Sequence, residues 1–340
     1  MKKIIAAALA ALMIATAFAG CGEVAPSATA DTPTEAAKAE KTKLTFVLDW
    51  TPNTNHTGLY VAEEKGWFDE AGIELEIVQP PEDGAELLVG SGKAQFGVSF
   101  QDSMLPAITG DNAMPIQAVA AVVQHNTSGI ISRKGDGIES PKGLEGKRYA
   151  TWGLPVEQAT IKQVMEDDGG DFSKVELIPE YITDEVSALR ANTVDAIWIF
   201  YGWAGIATEV AELETDYFAF RDINPVFDYY TPVIIGNTDW MKQNPELAKA
   251  FVSAVKKGYK FAAENPDEAA DILLKASPEL DEKLVKASQK YMSEQYIADA
   301  ADWGVIDPAR WNAFYGWIRD NKLSEAEIPE NLGFTDEYLS

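Results

Sequence analysis

Cysteine and histidine are almost absent from this chain of 340 residues, which contains one cysteine and two histidines. A single cysteine excludes an intrachain disulfide and argues against a metal cluster held by thiolates. His56 and His125 belong to neither an H-x-x-H nor an H-E-x-x-H motif, so no histidine-rich metal site is expected. We therefore predict a protein that holds no metal and no other cofactor.

Basic residues are also scarce, because 28 Lys and Arg face 54 Asp and Glu, which gives a formal net charge of -26. A surface this acidic repels phosphate backbones and argues against nucleic acid as a partner.

Catalytic motifs are missing as well. The segment GSGK at residues 90–93 superficially resembles a phosphate-binding loop, but Leu87 replaces its first glycine and Ala94 replaces its Ser or Thr. No G-x-S-x-G elbow occurs, so we expect no enzymatic activity.

Long apolar runs are confined to the N-terminus. Lys2 and Lys3 precede the almost wholly apolar residues 4–18, which are followed by Ala-Gly-Cys at residues 19–21. This order is typical of a secretory signal and is too short for an ordinary membrane-spanning helix, which needs roughly 20 residues. Cysteine directly after small residues predicts a lipoprotein signal over residues 1–20 and acylation of Cys21. Simple secretion with cleavage near Ala19 is the alternative.

The remaining sequence divides into a tether and a body. Residues 21–41 are rich in Ala, Thr, Pro and Glu and have little to bury, which predicts a flexible tether. Beyond it, short apolar runs alternate with helical patterns, which predicts parallel sheets covered by helices. We expect two α/β lobes, one formed by residues 42–126 and 238–340 and the other by residues 127–237. Two crossings between the lobes predict a two-strand hinge with a ligand cleft beside it.

Candidate binding residues follow the predicted strands, where ligands dock in α/β sheets. The segment DWTPNTNHTG at residues 49–58 follows the first strand and precedes a helix predicted over residues 58–70. It offers a stacking ring and hydrogen-bonding groups through Asp49, Trp50, Asn55, His56 and Thr57. A purely structural role remains open for each of them, as a helix cap or a core residue.

Other candidates lie at equivalent strand ends in both lobes. They are Gln101, His125, Trp152, Glu157, Tyr201 and Trp203. Aromatic rings combined with amide and carboxylate groups suit a flat, nitrogen-rich ring that is neutral or weakly cationic. Glu157 or Asp49 could accept a hydrogen bond from an exocyclic amine. Because no arginine cluster accompanies these residues, we do not expect a phosphate, sulfonate or dicarboxylate ligand.

The segments DWTPNTNHTG (49–58), QHNTSG (124–129) and WIFYGWAGI (198–206) resemble the thiamine-pyrimidine-precursor binding proteins of ABC importers, in the NMT1/THI5-like family. The resemblance covers nearly all of residues 43–320 and implies the type II periplasmic-binding-protein fold. It also implies an aminopyrimidine ligand, such as a formylaminopyrimidine. An ABC permease and its ATPase would be partners of a monomeric protein that is lipid-anchored outside the cell membrane.

Two rival functions remain within this resemblance. Pyrimidine synthases of the same wider family are enzymes, and His56 occupies the place of a histidine that matters to their chemistry. Those synthases need a cysteine-rich iron motif and a lysine-bound pyridoxal phosphate, and this chain has no second cysteine. The other rival is a binding protein for riboflavin or another flat heterocycle, which an aromatic cleft would also suit.

Overall fold

Residues 41–81 and 84–339 are described in the computed structural model of this protein. The predicted signal of residues 1–20, Cys21 and the predicted tether up to residue 40 lie outside them. No helix within the described ranges has the length and apolar character needed to cross a membrane.

Ten strands occur in the described residues and form two five-stranded sheets. In chain order they are β1 (Thr42–Val47), β2 (Ile73–Val78), β3 (Phe96–Ser99), β4 (Ile116–Ala121), β5 (Ser128–Arg133), β6 (Arg148–Thr151), β7 (Glu176–Pro179), β8 (Ala196–Phe200), β9 (Thr215–Ala219) and β10 (Val233–Asn237). The strand order is β2-β1-β3-β10-β4 in the first sheet and β7-β6-β8-β5-β9 in the second. The prediction of two α/β lobes is therefore confirmed.

Neither sheet is wholly parallel, contrary to the prediction. In each sheet the strands run in one direction except for the strand through which the chain enters from the other lobe. That strand is β10 in the first sheet, which pairs antiparallel with β3 and β4. In the second sheet it is β5, which pairs antiparallel with β8 and β9. The two reversed strands are thus the first strands that follow the two crossovers between the lobes.

The predicted end of the second lobe at residue 237 needs correction. Strand β10, with the sequence VIIGN, hydrogen bonds within the first sheet and not the second. A short apolar run shows that a strand is buried but does not show which sheet it enters. The chain therefore returns to the first lobe before Val233.

Thirteen α-helices of the described residues cover the sheets. They are α1 (Thr57–Glu64), α2 (Trp67–Glu70), α3 (Ala85–Gly90), α4 (Gln101–Ile108), α5 (Pro155–Asp167), α6 (Glu185–Ala191), α7 (Ile206–Val210), α8 (Phe220–Ile223), α9 (Thr238–Gln243), α10 (Pro245–Glu264), α11 (Pro266–Ala276), α12 (Glu282–Gln295) and α13 (Pro308–Asp320). The single helix predicted over residues 58–70 is two helices, because Gly66 adopts a left-handed φ of 74° between them.

Helix α10 anchors the helical tail to the first lobe. A Cβ at Gly258 would lie 1.9 Å from the carbonyl oxygen of Gly58, so glycine is required where α10 crosses α1. On the sheet side Phe251 stacks on Phe96 of β3 with ring centroids 4.1 Å apart. The chain end also returns to this lobe, where Phe334 forms a parallel bridge with Ala118 of β4. The tail therefore packs on the sheet that carries the segment of residues 49–58.

Candidate functional site

A cavity of about 540 Å³ lies between the two sheets, at the strand ends where the sequence placed its candidate residues. Both lobes and the return crossover contribute to it. From the first lobe it is lined by Asp49, Trp50, Asn53, Asn55, Phe100, Asp102 and Ser103. From the second lobe and the crossover it is lined by Ala150, Trp152, Leu154, residues 180–183, Glu185, residues 197–200, Trp203, Ala204, Tyr229 and Pro232.

The loop after β1 is held rigid by His56, which does not itself line the cavity. The backbone N–H of Asn53 donates to His56 Nδ1 at 3.2 Å. The hydrogen of the ring therefore sits on Nε2, which donates to Asp49 Oδ1 at 2.6 Å. The imidazole is completely buried. His56 therefore orients the Asp49 carboxylate and does not face the cavity, contrary to its prediction as a ligand contact.

Two tyrosines of the helical tail hydrogen bond to the backbone of the same loop. Tyr259 donates to the carbonyl of Asn55 at 2.6 Å, and Tyr296 donates to the carbonyl of Thr54 at 2.6 Å. Thr57 is buried at the start of α1 and does not line the cavity, so its predicted ligand contact is corrected. Asn55 does line the cavity, so this part of the loop forms cavity surface.

Tryptophans form both walls of the cavity. Trp50 of the first lobe is 43% exposed, and its ring centroid lies 6.0 Å from that of Tyr181 in the second lobe. Trp152 is 37% exposed and lies 5.4 Å from Trp198 of β8. Large aromatic side chains left this exposed are available for a flat ligand. Trp50, Trp152 and Trp203 all line the cavity, and their contact with a ligand stays a prediction.

Glu157 has a different role from the predicted one. It is 3% exposed and does not line the cavity, because its carboxylate is used inside the protein. Tyr149 donates to it at 2.7 Å and Thr151 at 3.0 Å, and the amide of Trp152 lies 3.0 and 3.1 Å from its two oxygens. Glu157 therefore shapes the loop that carries Trp152. The sequence placed it near the start of α5 but could not show these internal donors.

Three further candidates also lie outside the cavity, and their predicted ligand contacts are corrected. Gln101 is buried and bridges the carbonyl of Trp311 and the amide of Tyr230, at 2.9 Å each. His125 lies between Asp228 at 2.6 Å and Asp299 at 2.9 Å, where it ties the crossover segments to the tail. Tyr201 donates to Glu209 and packs on Tyr217. Polar and aromatic residues at strand ends can serve the fold as well as a ligand.

Residues that sequence reasoning missed complete the cavity. Phe100 and Phe200 stack across the lobes with centroids 5.9 Å apart. Tyr229 donates to Asp102 at 3.4 Å, and burial raises the pKa of Asp102 to about 6. Burial also raises the pKa of Glu185. Phe200 lies in the segment of residues 198–206 and Phe100 directly precedes the candidate Gln101, but Tyr181, Glu185 and Tyr229 lie in segments without a distinguishing pattern.

The cavity is acidic and has no cationic side chain among its described lining residues. Its carboxylates are Asp49, Asp102, Glu180 and Glu185. Carboxylates accept hydrogen bonds from N–H donors and repel anions, while the aromatic walls provide stacking faces. The arrangement therefore suits a flat ligand that carries amino groups.

Comparison with known proteins agrees with this geometry. The chain is 30% identical to a formylaminopyrimidine-binding protein of Halalkalibacterium halodurans, over 85% of this chain and 88% of that protein. It is 27% identical to the 4-amino-5-hydroxymethyl-2-methylpyrimidine phosphate synthase THI5 of Saccharomyces cerevisiae, over 88% of each.

The structure is similar to the alkanesulfonate-binding protein SsuA of Xanthomonas axonopodis bound to MOPS. The TM-score is 0.66 at 12% identity, over 87% of this chain and 99% of that one. The type II periplasmic-binding-protein fold is therefore confirmed. The NMT1/THI5-like family model matches residues 53–269, and the chain accordingly belongs to the NMT1/THI5-like family.

Proposed function

We propose that this protein is the extracytoplasmic substrate-binding component of an ABC importer and that it binds an aminopyrimidine thiamine precursor between its lobes. The observation that carries the proposal is the composition of the cavity, which combines aromatic walls with four carboxylates and no described Lys or Arg. Relatedness to a formylaminopyrimidine-binding protein supports the same ligand class. A permease and its ATPase would receive the ligand-loaded form.

The chemistry of an aminopyrimidine matches the cavity. Its flat ring can stack on Trp152 or Trp50, and each good aromatic stack contributes about 0.5–1.5 kcal/mol beyond burial. Its exocyclic amine can donate to a carboxylate such as that of Asp49, which His56 holds in place. Sulfonates, which SsuA binds on the same fold, would meet four repelling carboxylates here.

A carrier is favoured over a synthase by the residues of this chain. The related synthases require a cysteine-rich motif, whereas the sequence has one cysteine, at position 21. They also require a lysine that holds pyridoxal phosphate, and no lysine occurs among the described residues that line the cavity. The proposed role is therefore capture without chemical change. The lobes close on the ligand because it prefers the closed state.

Titration of the protein with four candidate ligands tests the ligand class. We would follow tryptophan fluorescence of the mature chain carrying Cys21→Ser with the formylated aminopyrimidine, hydroxymethylpyrimidine, thiamine and riboflavin. Riboflavin absorbs light and would be followed by thermal shift. We expect saturable binding of an aminopyrimidine, because Trp50, Trp152, Trp198 and Trp203 all line the cavity. A ligand at about 100 times its Kd would stabilise the fold by about 2.7 kcal/mol.

The other outcomes of the titration are equally informative. Stabilisation by riboflavin alone would transfer the assignment to a flavin carrier. No response to any of the four compounds would contradict the aminopyrimidine assignment. Native mass spectrometry of the purified protein would then identify any molecule that copurifies with it.

We also propose that Cys21 carries a lipid anchor, as the sequence around it predicts. Stable anchoring needs more than one acyl chain, since a single chain binds membranes reversibly. We expect the wild-type chain in the membrane fraction of a bacterial host and the Cys21→Ser variant in the fraction released from the membrane. Release of both chains would favour simple secretion, whereas equal membrane retention of both would indicate another mode of attachment.

A further inference from the structure

A buried polar relay connects the two lobes through helix α12. Ser288 of α12 donates to the carbonyl of Gly202, which lies just after β8 in the second lobe. Its oxygen lies 2.6 Å from the hydroxyl of Thr54, in the loop after β1 of the first lobe. Because a carbonyl only accepts and Ser288 has one hydrogen, Thr54 must donate to Ser288. The relay therefore runs from Thr54 through Ser288 to Gly202.

Both ends of the relay adjoin residues that line the cavity. Thr54 lies between Asn53 and Asn55, and Gly202 precedes Trp203. The relay thus joins the loop that presents Asn53 and Asn55 to the loop that presents Trp203. None of the three relay residues itself lines the cavity.

The relay is buried and closely packed, so removal of one of its hydroxyl groups leaves a polar group without a partner. Thr54 is 1% exposed and Ser288 is fully buried. A Cβ at Gly202 would lie 2.3 Å from the sulfur of Met292, so the second-lobe backbone rests directly on α12. A hydroxyl or carbonyl that loses its partner in such a place finds no water to replace it.

We propose that Ser288 is a positioning residue that ties the lobes together in the closed, ligand-holding conformation. This inference rests on the proposed function of the cavity as the ligand site. The same conformation brings Trp50 against Tyr181 and Phe100 against Phe200, each pair joining opposite lobes. The relay spans only three oxygen atoms, so rotation of the lobes away from each other would break it. Its hydrogen bonds therefore favour closure before and after a ligand enters.

The experiment measures closure and binding in the same variants. Spin labels on cysteines introduced at Lys93 of the first lobe and Lys134 of the second, both exposed, report the interlobe distance in the mature chain carrying Cys21→Ser. We expect Ser288→Ala to move the ligand-free distance distribution towards longer values. We also expect it to weaken binding of the formylated aminopyrimidine about tenfold, chiefly through faster dissociation.

Matched variants distinguish loss of the relay of hydrogen bonds from general damage to α12. Ser293→Ala removes a hydroxyl from the same helix that bonds to the nearby carbonyl of Lys290, at 2.7 Å, and should match wild type. Thr54→Val should reproduce the effect of Ser288→Ala, whereas Thr54→Ser keeps the hydroxyl and should restore wild-type behaviour. The double variant Thr54→Val with Ser288→Ala should lose little more than either single variant.

The positioning role of Ser288 is refuted if Ser288→Ala and Thr54→Val fold and show the interlobe distances and the ligand affinity of the wild type. Lower unfolding stability with an unchanged distance distribution would also refute it, because the relay would then serve only the fold. Absence of pyrimidine binding by the wild type would contradict the proposed function instead. The ligand-free distance measurement would still decide the role of Ser288 in that case.

Discussion

Replacing Glu157 by alanine should lower the free energy of unfolding by about 3–5 kcal/mol, because several buried hydroxyl and amide donors would lose their acceptor. Its donors include the hydroxyls of Tyr149 and Thr151. Burial, and after it the charge of Glu157, raises the pKa of Tyr149 well above its usual value, so its hydroxyl stays protonated and donates. Urea unfolding followed by circular dichroism measures the change.

A second glutamate on the same helix provides the control. Glu166 is exposed and lies 3.7 Å from Lys162, so Glu166→Ala should change the unfolding free energy by no more than about 0.5 kcal/mol. If Glu157→Ala lost less than about 1 kcal/mol, the internal role of Glu157 would be refuted. Unchanged stability with a large loss of ligand affinity would instead restore the predicted direct contact.

Trp152→Ala should weaken binding of the aminopyrimidine by about 30-fold, which corresponds to about 2 kcal/mol. The ring lines the cavity beside Trp198 and would lose both stacking and burial against the ligand. Because the side chain is 37% exposed without ligand, its removal should cost the fold less than about 1 kcal/mol. Isothermal titration calorimetry gives the affinity, and urea unfolding checks the stability.

Trp67→Ala is the matched control for this variant. Trp67 is also partly exposed but packs on Phe261 at the surface of the first lobe, away from the cavity. It should leave ligand affinity at the wild-type value. Wild-type affinity in Trp152→Ala would show that the ligand does not stack on this wall, and Trp50 on the other wall would be the next residue to replace.

Local patterns were enough to predict part of the site. Asp49, Trp50 and Asn55 of the segment at residues 49–58 line the cavity, because the carboxyl ends of neighbouring strands meet at one edge of a sheet, and their contact with a ligand stays a prediction. The same reasoning placed Trp152 and Trp203. It failed for Glu157 and Gln101, whose partners are internal. An acidic or amide side chain at a strand end looks the same in sequence whether it faces a ligand or the protein.

The lobe that each segment joins was harder to predict. Strand β10 and the helical tail are separated from β3 and β4 by more than 100 residues of the second lobe, yet β10 lies between these two strands. Apolar periodicity reports burial and not the partner, so the boundary at residue 237 was misplaced.

By itself, the sequence determined the fold class and the family, because these depend on composition, periodicity and local segments. The tertiary structure alone decided which polar groups remain free for a ligand. Gln101, His125 and Ser288 are all engaged by partners that lie far from them along the chain. A buried hydrogen-bonding group is satisfied by whatever lies nearest in space, and distance along the chain does not reveal that neighbour.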